Sequence, residues 1–124
     1  MTTTLRNPVV WGNTFWTTLH IILESLETEN FPYFRIFIES FVHMLPCKHC
    51  RTHSIDYLKK KVGVITYSNR VEWGINFHNY VNEHTGKPVL SIEDAKRVIK
   101  EMHLHLIAQA RCRLTPVSPL LVRK

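Results

Sequence analysis

The chain is poor in cysteine, glycine and proline, with 3, 4 and 6 among 124 residues. Three cysteines are too few, and odd in number, for the disulfide framework of a small secreted domain. So little glycine and proline excludes a collagen-like or low-complexity chain. No apolar run approaches the roughly 18–20 residues that cross a bilayer. The opening MTTTLRNPVV has neither the apolar stretch of a signal peptide nor the Arg- and Ser-rich look of a transit peptide. The expectation from these absences is an unprocessed cytosolic protein. The residues present, 44% hydrophobic and 10% aromatic, suit one globular domain with enough bulk for a core.

The first part of the chain also lacks positive charge. Residues 1–46 hold two Lys/Arg against four Asp/Glu, whereas residues 47–124 hold fourteen against six. A basic half suits nucleic acid, another anionic ligand such as a cofactor phosphate, or simply a solvated surface.

The hydrophobic pattern is helical throughout, and no strand alternation competes with it. Phe15, Trp16, Leu19, Leu23 and Leu26 recur at steps of mostly three and four, which predicts a first helix over about 12–28. Phe31-Pro32 reads as a break. Phe34, Phe37, Ile38, Phe41, Val42 and Leu45 predict a second, more buried helix. Pro46 fits a helix start rather than an interior, so a third helix is expected from about Cys47 to Lys61. Val62–Tyr67 reads as a connection. Ser68 or Asn69 can cap a fourth helix that ends near Thr85-Gly86, with Glu72 completing a capping box. Ser91, followed by Glu93 and Asp94, opens a fifth helix to about Arg111. Pro116 and Pro119 mark an irregular tail. The expected fold is all-α: a four-helix bundle with an additional short fifth helix, in a single domain over 1–124 with its core at about 11–111. Bundles build sites from facing helices, so the chemistry should lie between them.

The chemistry-bearing motif is Cys47-Lys48-His49-Cys50. At a helix start, Cys47 would meet unpaired N–H groups and the positive end of the helix dipole. Both favour the thiolate, as do the charges of Lys48 and Arg51. Disulfide exchange needs such a reactive sulfur beside a second one. Zinc is the competing reading, but it wants four ligands and the chain has no second Cys-x-x-Cys. His43, Cys47, Cys50 and His53 are close in sequence, yet Pro46 interrupts the helix that would align them. His78…His84 and His103-x-His105 have unsuitable spacing. The site is therefore expected to contain no metal.

Further residues narrow this choice. Gly12, Trp16, Leu19 and His20 lie on the first helix, and Leu45-Pro46-Cys47-x-x-Cys50 follows. Then come Trp73, His78-Asn79-x-Val81-Asn82 and Gly86-Lys87-Pro88. This order and spacing resembles the Erv/ALR family of FAD-linked sulfhydryl oxidases over about residues 11–99, most of all the short forms of large cytoplasmic DNA viruses. From the residues alone, Trp16 offers an aromatic face for stacking. His20 shares that face four residues on, as His78 and Asn82 share theirs, with Val81 adjoining. Asn79 and Asn82 offer donors and acceptors, and Lys87 a diphosphate contact.

The resemblance implies FAD between the helices, held by Gly12, Trp16, His20, Trp73, His78, Asn79, Val81, Asn82 and Lys87. It implies that Cys47 meets the substrate dithiol and Cys50 passes electrons to FAD, with O2 as acceptor and hydrogen peroxide as product. Implied partners are protein dithiols, a thioredoxin-like relay protein among them, and a second copy in a homodimer. No nucleic acid or membrane span is expected. The place would be the cytoplasm, that of a host or a virion if the source is viral. Ile75 and Ile92 stand where many relatives have a structural disulfide, so an apolar contact is expected there. Asn13 replaces a family arginine. Val98 and Ile99 stand near a flavin contact of the last helix, with Lys96, Arg97 and Lys100 as substitutes. Cys112 is alone where relatives carry a shuttle pair, and reads as a spectator thiol, with relay or intersubunit link as alternatives. The second functional reading is a non-enzymatic, zinc-stabilised helical adaptor that binds nucleic acid or a protein partner.

Overall fold

A computed structural model describes residues 4–114. They form five α-helices, α1 Pro8–Ser25, α2 Phe31–Phe41, α3 Lys48–Lys61, α4 Arg70–His84 and α5 Ile92–Leu114. Single 3-10 turns at Val42–Met44 and Val62–Val64 follow α2 and α3. Among the described residues there is no strand, which agrees with the all-α expectation, and no helix is long and apolar enough to cross a membrane.

Several boundaries differ from the sequence expectation for local reasons. α1 opens at Pro8 rather than about residue 12, because Asn7 accepts a hydrogen bond from the Val9 N–H and Pro8 occupies the first turn. There its missing N–H costs nothing. Phe31-Pro32 is likewise the start of α2, not a break. α2 stops at Phe41, short of Leu45, because Leu45 precedes Pro46 and is forced to extended ψ, at 137°. The expected capping box at Asn69 does not form. Its side chain instead accepts from the Thr66 N–H and donates to the Val64 carbonyl, which ties down the turn before α4. The fifth helix, expected to be short, is the longest at 23 residues and takes in Cys112. Pro116 and Pro119 lie outside the described residues.

The chain divides into two compact units, at Ile92/Glu93. In the first, α1 to α4 share one core. Leu19 and Leu23 come from α1, Phe34 and Ile38 from α2, Tyr57 and Leu58 from α3, and Trp73, Phe77 and Val81 from α4. α4 packs against both α1 and α3. The close approach to α1 depends on Gly74, where a Cβ would run into Leu23. Arg70, one turn earlier in α4, holds the same residue of α1: its Nε donates to the Leu23 carbonyl at 2.7 Å, and its guanidinium lies 3.9 Å above the Tyr67 ring. It thereby pairs a helix-end carbonyl that α1 leaves unbonded. In the second unit, α5 carries Glu93 and Asp94 in its first turn and Arg111 and Arg113 in its last, complementing the helix dipole.

Candidate active site

α3 begins at the cysteine motif because Cys47 is its N-cap. The residue has extended backbone, φ −102° and ψ 125°, and its Sγ accepts the Cys50 N–H at 3.3 Å. Arg51 holds the approach: its guanidinium donates to the Leu45 carbonyl at 2.6 Å, across the Pro46 turn. The two thiols differ in setting. Cys47 is half-buried and Cys50 is buried.

Their acidities diverge as a result. Burial alone would raise Cys47, but hydrogen bonds from the Cys50 thiol and from the backbone of Cys50 and His49, with the charge of Arg51, outweigh it and hold this thiol below its ordinary value. Burial pushes Cys50 up to about 12, and the neighbouring Cys47 adds to that, against the charge of Lys87. A proton shared by the pair therefore rests on Cys50, leaving Cys47 as the reactive thiolate.

Cys50 lies in the wall of a cavity of about 230 Å³. Gly12, Trp16, Val81, Asn82 and Lys87 also line it, so the structure brings five of the nine expected cofactor residues together around this sulfur. A Cβ added at Gly12 would meet nothing within 4 Å, so no protein atom requires glycine there. It leaves a backbone surface that a ligand can approach.

Behind Trp16 lies a stack of rings. Trp16 and His78 are parallel, 6° apart in plane with centroids at 4.0 Å. His20 Nε2 and His78 Nδ1 are 3.1 Å apart. Burial, then the charges of His20 and Lys87, lowers His78 to about 3, so this ring is neutral near pH 7. One nitrogen of such a pair donates and the other accepts. The helical spacing in α1 thus places Trp16 and His20 on one face, and α4 supplies His78 to it.

The remaining two expected residues make contacts within the scaffold. Trp73 is a core side chain, its ring edge-on to Phe34 and its indole N–H donating to the Lys61 carbonyl at 2.8 Å. It also borders a larger groove of about 770 Å³. Asn79 clasps the backbone of Leu90, donating to its carbonyl at 2.7 Å and accepting its N–H at 3.2 Å. That clasp steadies the segment carrying Lys87, whose own N–H donates to the Asn82 carbonyl at 2.8 Å after Gly86 turns through φ 75°. Lys87 borders both the small cavity and the larger groove.

Sequence reasoning missed Phe15, Ser54, Thr85 and the stretch from Asn7 to Val9 with Trp11 as cavity residues. Ser54 carried a usable signal: it is a polar residue one helical turn after Cys50, and only 1% exposed. Of the flagged isoleucines, Ile75 is buried and Ile92 half-buried. Among the described residues no group of three or more His, Cys, Asp and Glu is disposed to hold a metal ion.

The sequence model of the Erv1 / Alr family matches residues 13–102. The FAD-linked sulfhydryl oxidase of African swine fever virus (isolate Tick/Malawi/Lil 20-1/1983) is 32% identical over 102 residues, covering 78% of this chain and 86% of its own. A protein of Invertebrate iridescent virus 3, provisionally named for the same activity, is 31% identical over 116 residues, with 88% and 76% covered. One from Acanthamoeba polyphaga mimivirus, also provisionally so named, is 31% identical over 104 residues, with 77% and 72% covered. None of these relatives favours the zinc-stabilised adaptor. No solved structure matches the chain.

Proposed function

This chain belongs to the Erv1/Alr family, and we propose that it is an FAD-dependent thiol oxidase that forms disulfide bonds in protein substrates. The observation that carries this reading is the buried Cys50 sulfur in the wall of a cavity with an open Gly12, the Trp16 ring and the cation of Lys87. These residues fit a flavin dinucleotide. Gly12 gives a flat ring room against backbone, Trp16 offers an aromatic face, Asn82 offers polar edges, and Lys87 neutralises phosphate charge. FAD, when bound, supplies a two-electron acceptor that passes its electrons to O2 and yields hydrogen peroxide.

The chain's own residues handle the sulfur chemistry. With Cys47 and Cys50 joined as a disulfide, a substrate thiolate attacks the more exposed Cys47 Sγ. The Cys47–Cys50 bond breaks, a substrate–Cys47 bond forms, and Cys50 departs with the electron pair. The substrate's second thiolate then attacks its own bonded sulfur and releases Cys47. The substrate leaves as a disulfide and the pair is left reduced. The N–H of Cys50 and the charge of Arg51 make Cys47 a good leaving group in that second step. Lys87 lowers the cost of charge on Cys50.

The fuller reading extends to partners. The substrates include a thioredoxin-like relay protein, and the working form is a homodimer. Supporting the dimer, Tyr33, Ile36 and Phe37 of α2 are exposed, and an apolar groove lined by Trp11, Phe15, Phe37, Phe41 and Met44 runs between α1 and α2. The location we propose is host cytoplasm or virion, and the likeness to viral relatives is what supports it.

The test is spectroscopic and kinetic. The purified protein is expected to be yellow and to consume O2 when given dithiothreitol. A colourless protein, or a Cys50→Ala variant that oxidises dithiols at the parent rate, would refute the reading.

A further inference from the structure

Resting on that oxidase reading, we infer that the exposed face of α3 beside Cys47 is a basic docking surface for an acidic segment flanking the dithiol of the protein substrate. The charge pattern is one-sided. Between Glu39 and Asp56 the chain has no carboxylate, yet this stretch holds Lys48, Arg51 and three histidines around the two cysteines. α3 as a whole carries Lys48, Arg51, Lys59, Lys60 and Lys61 against the single carboxylate of Asp56. That carboxylate is engaged locally: it accepts the Tyr80 hydroxyl at 2.5 Å and pairs with Lys60 at 3.3 Å.

Helical geometry sorts these charges onto the outside. Cys50, Ser54, Tyr57 and Leu58 are the buried face of α3. Lys48, Thr52 and Lys59 fall on the opposite side, at steps of four and seven, and all three are exposed. His49 and His53 flank that line with stacked rings, and His53 meets His84 of α4. The line begins at the residue after Cys47, so a chain presenting a thiol to Cys47 has this face alongside it. The charges that bear on the sulfurs themselves, Arg51 and Lys87, have the same sign.

Single exposed cations hold a partner weakly. A cluster of one sign acts differently: it raises the encounter rate of an oppositely charged partner and disfavours a like-charged one, and salt screens both effects. A helix face whose flanking rings, His49 and His53, are stacked on one another favours a carboxylate-rich peptide over single-stranded nucleic acid, which needs stacking platforms.

The experiment uses the flavin-loaded full chain and two Cys-x-x-Cys peptides, one flanked by glutamates and one by lysines, with dithiothreitol as an uncharged reference. At low ionic strength the glutamate peptide is expected to show a kcat/KM about tenfold above the lysine peptide. That ratio should approach one at roughly 0.5 M salt, while dithiothreitol turnover stays level. A Thr52→Glu, Lys59→Glu variant leaves both sulfurs and their neighbours in place and should shrink or invert the ratio. Fluorescence anisotropy with Ser-x-x-Ser versions of the peptides reads docking without turnover. Equal binding and equal kcat/KM for the two peptides, or tighter binding of a single-stranded oligonucleotide than of the acidic peptide, would overturn the inference. A protein that binds the acidic serine peptide preferentially but oxidises no dithiol would instead overturn the oxidase reading and leave the docking surface standing.

Discussion

Cys47 and Cys50 are three residues apart, yet their surroundings drive them in opposite directions. The cap position and Arg51 favour charge on one, and burial opposes it on the other. Iodoacetamide titration of the reduced protein, followed by peptide mapping, should therefore label Cys47 at a pH below that of an ordinary thiol and Cys50 only well above it. Labelling in the reverse order would contradict the assignment. Two glycines separate binding from folding in the same way. Gly12→Leu projects into the cavity from a Cβ that meets no protein atom within 4 Å, so thermal stability should hold while bound flavin is lost. Gly74→Ala meets Leu23, which is 1% exposed and has nowhere to go, so it should cost about 1–3 kcal/mol in denaturant unfolding. His78 adds a pH dependence. Its folded value is depressed to about 3, so below about pH 6.5 the unfolded chain takes up a proton that the folded chain refuses. Stability contributed by its neutral form is complete above that pH and drains away as pH falls towards 3. Urea midpoints measured from pH 7 to 4 should fall, and fall less in His78→Gln. That Trp16 and His20 share a face was readable in the sequence because they are four apart on one helix; that His78 of α4 stacks on Trp16 was not, because it depends on how α4 packs against α1. The duties of Trp73 and Asn79 were not, because their partners are the backbone groups of Lys61 and Leu90, which no side-chain pattern encodes.

Helices themselves were legible from apolar spacing, since α1 to α4 each bury one face in a shared core. Their ends were less so. Asn7-Pro8 is a cap followed by a first-turn proline, a local signal as strong as the one at Cys47. It lies before the first apolar repeat, where periodicity has nothing to count. Asn69 shows the opposite failure, a cap-like residue whose side chain found better partners in the preceding turn. The joint between elements also bears on the family's lost covalent staple. If Ile75 and Ile92 pack where relatives have a disulfide, the Ile75→Cys, Ile92→Cys double variant should form that bond on oxidation and raise the melting temperature. Two thiols that remain free under mild oxidant would show that the positions are not adjacent.

At the scale of the whole molecule, α2 exposes Tyr33, Ile36 and Phe37 and an apolar groove lies beside α1, the surface on which the proposed dimer would form. The parent is expected to elute as a dimer in size-exclusion chromatography, and the Ile36→Glu, Phe37→Glu variant as a monomer. A parent that is itself monomeric at micromolar concentration would end that proposal. Part of the charge asymmetry visible in the sequence lies in α3, although composition alone could not say that Lys48 and Arg51 sit in the helix turn that the reactive sulfur caps. One consequence of the Cys47 cap reaches the entire fold. The atom that starts α3 is also the atom that exchanges electrons, and a thiolate accepts the Cys50 N–H better than a sulfur tied into a disulfide. The first turn of the helix thus stabilises the reduced protein over the oxidised one. With a cap of about 1 kcal/mol, the two-electron reduction potential rises by roughly 20 mV. Helix geometry sets part of the driving force with which this protein draws electrons from its substrates.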